Sequence, residues 1–203
     1  MGLGNVSSYL IYQIFSPVLF ATQGAIIAGQ MGATQTVLNG ILSISLSWFS
    51  TKTYLFSNLV AVKKYKELNT RYRDTLGIAT LVCLSALVLF VILTQLLNES
   101  YPGFRNRFLP IIPLVLFSLT QLASVIGNAQ GYYLRSFRQE PFFVPSIVIG
   151  ILSGAATVTI SKYYSVNEMS VAYFLINGVI GCIWGCAIFR DKSFAWTNYR
   201  HAI

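Results

Sequence analysis

The 203-residue chain is 55% hydrophobic and 10% charged, with a formal net charge of +8. Ordinary soluble domains carry roughly 25% charged residues, so this composition excludes a soluble globular fold.

Six stretches approach or exceed the roughly 20 apolar residues that cross a bilayer as a helix. In chain order they cover 8–30, 33–62, 75–97, 109–133, 142–161 and 170–189. The expected fold is an all-α membrane protein, a bundle of six transmembrane helices forming one transmembrane domain over 1–203. The first run has no basic leader and further spans follow it, so it does not read as a cleavable signal peptide.

Charge orients these spans. Lys63, Lys64, Lys66, Arg71 and Arg73 lie between the second and third spans. Arg135 and Arg138 lie between the fourth and fifth, and Arg190, Lys192 and Arg200 follow the sixth. The opposite loops hold Arg105, Arg107 and Lys162. This positive-inside bias puts both termini in the cytoplasm. The basic excess then meets anionic lipid headgroups, and no nucleic-acid partner is expected.

The first span carries a sparse polar row: Tyr9, Tyr12, Gln13, Ser16, Gln23 and Gln30. The second carries a dense one. Gln35, Thr36, Asn39, Ser43, Ser47, Ser50, Thr53, Tyr54 and Ser57 fall within roughly 120° on a helical wheel. Lipid offers these groups no hydrogen bonds, so they face protein or water. An aqueous cavity is the preferred reading; close helix packing through small hydroxyls is the other.

Lys52 is the one charged residue inside these six stretches. It projects opposite the polar row, with Val37, Ile41, Trp48, Leu55, Phe56 and Leu59, on a face that resembles the lipid side. Two roles stand for it: an ammonium snorkelling to headgroups, or a lateral grip on an anionic headgroup as substrate.

The fourth span repeats the dense pattern, with Gln121, Ser124, Asn128, Tyr132 and Arg135 in an arc of roughly 80°. Gly127 and Gly131 beside them form a GxxxG that favours helix contact. The last two spans carry GxxxG pairs at Gly150/Gly154 and Gly181/Gly185. They read as packing helices, with Asn177 their main polar group.

Cys83, Cys182 and Cys186 lie within spans and read as small apolar fillers; no cofactor or metal is expected. The six acids lie in loops or at span ends. No nucleotide loop, triad or paired carboxylates occur, so an enzyme is not expected.

The stretch "YYLRSFRQEPFFVPS" at 132–146 resembles the link between the fourth and fifth helices in the C-terminal half of polysaccharide-transporter flippases. These include O-antigen unit flippases of the multidrug/oligosaccharidyl-lipid/polysaccharide exporter superfamily. "SKYYSVNEMSVAYF", "GCIWGCAIF" and "AWTNYR" fit the same pattern further on. "SWFSTKTYLFSNLVAVKKYKEL", with Lys52, resembles the end of that half's second helix. The resemblance implies one lobe of a MATE-like flippase, in a bacterial inner membrane. It implies alternating access and a substrate that is an isoprenoid-pyrophosphate-linked oligosaccharide. Gln13, Asn39, Ser43, Ser47, Gln121, Ser124 and Asn128 would then line the glycan path. Lys52, Arg135 and Arg138 would attract the pyrophosphate.

The family is described with two lobes, whereas this chain offers six spans from Met1. It is expected to be a separately encoded lobe with an N-terminal-lobe partner chain, a homodimer, or an inactive remnant. A drug exporter of the same superfamily is a further alternative.

Overall fold

The computed structural model describes residues 15–101, 104, 107–137 and 141–198. Among them there are helices and no strands: α1 (Phe15–Gln23), α2 (Ala25–Ala61), α3 (Tyr65–Ser100), α4 (Ile111–Ser136), α5 (Phe143–Tyr163), α6 (Val166–Tyr173) and α7 (Gly181–Asn198). A π-helical segment, Phe174–Ile180, joins α6 to α7 without a break.

Among the described residues, four segments are long and apolar enough to cross a membrane: Tyr65–Ser100, Ile111–Arg135, Phe143–Tyr163 and Val166–Lys192. That is the pattern of a multi-pass membrane protein. α2 is long enough at 37 residues but is not among the four. Its recurring hydroxyls dilute the apolar run on which such a span depends. The first expected span is described only from Phe15 onward.

The boundary between the first two expected spans falls elsewhere than hydropathy suggests. The expected turn at 31–32 is helical. The break sits at Gly24, with φ 96° and ψ 170°, a conformation essentially confined to glycine. Its amide donates to Leu19 O at 3.1 Å, closing the end of α1. Gln23 Nε2 donates to Tyr164 O at 2.9 Å, tying this corner to the end of α5.

α2 and α3 form a tight hairpin. Lys63 takes φ 60°. Its amide donates to Val60 O, and that of Lys64 donates to Leu59 O. This is the Schellman pattern, with lysine where glycine usually stands. At the other end of α3, the linker to α4 is pinned by Leu109 N donating to Thr34 Oγ1 at 3.3 Å. The amide of Ser165 and its hydroxyl both donate to the Glu168 carboxylate, which sets the start of α6.

Successive long helices reverse direction. Lys52 meets Thr75 across α2 and α3, and Tyr133 meets Asn69 across α3 and α4. α4 and the α6–α7 rod run parallel: Phe117 packs on Tyr173 and Tyr133 on Phe189, with ring centroids 5.0 and 5.3 Å apart. The α2–α3 turn, the end of α4 and the outer part of α7 therefore share one end of the bundle. Lys63, Lys64, Arg135, Arg190 and Lys192 cluster there, as the charge bias requires, while Arg107 and Lys162 occupy the opposite end.

α4 is the central helix, touching α2, α3, α6, the π segment and α7. At the basic end an aromatic cluster ties these helices together. Phe49 stacks on Tyr132 at 5.8 Å, and Tyr72 meets Tyr133 edge-on at 5.0 Å. Burial on α3 follows one helical stripe, Leu68, Tyr72, Thr75, Ala79, Cys83 and Leu87. Its other side exposes Leu81, Leu84, Val88, Leu89 and Ile92, as a lipid-facing helix should.

Candidate functional site

Depth in the membrane can be read from α3. It carries no charge from Thr75 to Asn98, between Asp74 and Glu99. Lys52 Nζ donates to Thr75 Oγ1 at 3.1 Å, so Lys52 lies at the first uncharged level of its neighbour. The last part of α2 and the first part of α3 project beyond this level as a hairpin of roughly 15 Å. The outer part of the polar row of α2, Tyr54 and Ser57, belongs to that projection. By the same antiparallel register, Asn39, Ser43 and Ser47 stand level with the uncharged stretch of α3.

The face of Lys52 is not a lipid face, as its apolar neighbours on the wheel suggested. Phe56 and Leu59 are buried, and Val37, Ile41, Trp48 and Lys52 are half-buried. α3 packs on this side. The ammonium gains a hydroxyl partner there, which an apolar lipid face would not supply.

The α2–α4 seam brings most of the expected polar residues together. Gln121 is 3% exposed. Its amide donates to Leu38 O at 3.1 Å and to Asn39 Oδ1 at 3.4 Å. The Phe49–Tyr132 stack closes the same seam further along. Between these two contacts lie Ser43 and Ser47 on α2, and Ser124 and Asn128 on α4. Ser43, Ser47 and Asn128 are exposed, and Asn39 and Ser124 are half-buried. The result is a polar strip along the outside of the seam, with Gln121 as its buried anchor. Arg135 continues it to the basic end, exposed at the last turn of α4.

Each short side chain of the strip is satisfied locally. Ser43 donates to Asn39 O, Ser47 to Ile44 O, Ser124 to Thr120 O and Asn128 to Ser124 O. The oxygens remain as acceptors, so the strip is stable yet can still bind water or a hydroxyl-rich ligand. Glycine widens it. A Cβ at Gly40, Gly127 or Gly131 would meet nothing within 4 Å. Nothing therefore packs against the Cβ positions of Gly127 and Gly131, where a helix contact was expected. The Gly181/Gly185 pair does pack: a Cβ at Gly181 would lie 3.4 Å from Ile149, and one at Gly185 would lie 3.3 Å from Gln130.

Gln13 and Arg138 lie outside the described residues. Two part-buried polar contacts join helices whose pairing the wheels do not show. Gln130 Nε2 reaches Cys186 Sγ at 3.3 Å, and Asn177 Nδ2 donates to Ser153 Oγ at 2.8 Å. Only a partner helix explains such groups, and local spacing does not name the partner.

No family model, curated protein or solved structure matches this chain.

Proposed function

We propose that this chain is one lobe of a flippase for a lipid-linked oligosaccharide, working by alternating access in a bacterial inner membrane. One observation carries the reading: Ser43, Ser47 and Asn128 are exposed along the α2–α4 seam, level with the uncharged stretch of α3. Hydrocarbon is a poor environment for such a strip, whereas water or a glycan suits it. In this reading α2 spans the membrane beside α3, and the strip forms one wall of an aqueous path. A second lobe, from a partner chain or a second copy, supplies the other wall. Lys52 and Arg135 attract the pyrophosphate at the basic end. Lys52 spends one ammonium proton on Thr75 and has others for phosphate oxygens.

Complementation of surface glycan tests this reading. Ser43→Leu together with Asn128→Leu should abolish surface glycan while the protein still accumulates in the membrane. Unchanged glycan would remove the strip from the transport path.

A second reading is a membrane subunit that moves nothing itself. It is favoured by the strip's position on the outside of the chain, where a partner helix could cover it. Proteoliposomes with a fluorescent polyprenyl-pyrophosphate glycan separate the two. Movement by this chain, alone or with its second lobe, excludes the inert subunit.

A further inference from the structure

The outer face of α3 carries a shallow open trough of about 480 Å³, lined by Arg73, Leu76, Gly77, Thr80, Leu81 and Leu84. It lies away from the polar strip and does not depend on the transport reading. Its lining is apolar except at its head and at the Thr80 hydroxyl. Gly77 forms its notch, with open space where a Cβ would stand. Leu81 and Leu84 are exposed below it.

Arg73 stands one residue before Asp74, at the outer margin of the uncharged stretch of α3. Its guanidinium is exposed, and no hydrogen bond or ion pair to it occurs among the described residues. Lys66 lies two turns further out on the same face and is also exposed. The nearby Glu67 carboxylate is engaged by Lys64 at 3.9 Å. The exposed Asp74 carboxylate offsets part of this charge, and Arg73 with Lys66 leaves the head net positive. Such a head above an apolar trough, at the level where hydrocarbon gives way to headgroups, complements an anionic amphiphile.

We propose that this trough is a binding site for an anionic phospholipid of the leaflet at the basic end. One acyl chain lies along Gly77, Leu81 and Leu84. The phosphate sits against Arg73, with Lys66 adding to the field. Arginine suits this level because its planar fork matches phosphate oxygens while its stem stays in the apolar layer. The cytoplasmic leaflet is the anionic one, and each basic residue near it contributes about 1 kcal/mol, or about fivefold in binding.

Native mass spectrometry of the full chain, in detergent with equal phosphatidylglycerol and phosphatidylcholine, tests the site. The wild type should retain phosphatidylglycerol in preference. Arg73→Gln should lower that retention about fivefold, and Arg73→Lys should keep most of it. Gly77→Leu, which fills the notch, should lower retention of both lipids. Lys192→Gln, at the same end on α7, should change nothing, and millimolar inorganic phosphate should not displace the lipid. Equal retention by wild type and Arg73→Gln would overturn the site. So would an equal loss in Lys192→Gln, which would mean general surface charge, or displacement by free phosphate. Helical content by circular dichroism confirms that each variant is folded.

Discussion

Lys52 and Thr75 meet across the α2–α3 seam, where the ammonium donates to the hydroxyl at 3.1 Å. The hydroxyl in turn donates to Arg71 O at 2.7 Å, so both groups are oriented by one short network. The pair marks the level at which α3 passes from charged to uncharged sequence. A double-mutant cycle with Lys52→Met and Thr75→Val should give a coupling of about 1 kcal/mol in equilibrium unfolding in mixed micelles. Strictly additive losses would mean that the two side chains do not interact.

Gly24 holds the α1–α2 corner in a conformation that costs other residues about 1–3 kcal/mol. Gly24→Ala should therefore destabilise the protein by that amount. Gly29→Ala, within the continuous helix and with open space at its Cβ, should be neutral or stabilise by up to about 1 kcal/mol. Thermal unfolding of the two variants side by side locates the break. The reverse ranking would place the corner nearer the expected 31–32.

Much of the fold was legible in the sequence because helix type and charge segregation are local properties. The apolar runs of α3, α4, α5 and the α6–α7 rod are long enough to declare themselves. The basic residues of the α2–α3 turn and of the ends of α4 and α7 gather at one end, as their loops implied. The wheel also placed Lys52 opposite the serine row. What a wheel cannot give is the partner across each face. Gln121 shares the arc of an open polar row, yet it is buried and bridges to Leu38 and Asn39. Gly127 and Gly131 read as a contact and stand open, while Gly181 and Gly185 carry the same spacing and pack. Those outcomes depend on which helix arrives from elsewhere in the chain. The corner at Gly24 is hidden for another reason: hydropathy measures how far an apolar run extends and is blind to backbone sign.

Lys63 closes the α2–α3 hairpin with φ 60°, a left-handed conformation that costs an ordinary side chain about 1 kcal/mol. Lys63→Gly should raise stability by about 1 kcal/mol or less, because glycine also gains freedom in the unfolded chain. Lys63→Val, with a β-branched side chain at the same backbone, should lower it. Unfolding midpoints in detergent compare the three proteins directly.

Gln121 and Asn128 lie on one face of α4 with opposite surroundings. Gln121→Leu removes a buried amide that joins two helices, and should cost about 1–2 kcal/mol of stability. Asn128→Leu removes an exposed amide bonded within its own helix, and should leave stability within about 0.5 kcal/mol. Its effect should fall on surface glycan instead. A larger stability loss for Asn128→Leu than for Gln121→Leu would reverse the roles of anchor and strip.

The central claim is that the α2–α4 strip meets water at hydrocarbon depth. The most direct measurement is labelling of single cysteines in intact membranes with a membrane-impermeant maleimide, after replacing Cys83, Cys182 and Cys186 with alanine. Ser43→Cys, Ser47→Cys and Asn128→Cys should react, while Leu89→Cys on the lipid face of α3 should not. Strip cysteines as unreactive as the one at Leu89 would show a dry face and contradict the account.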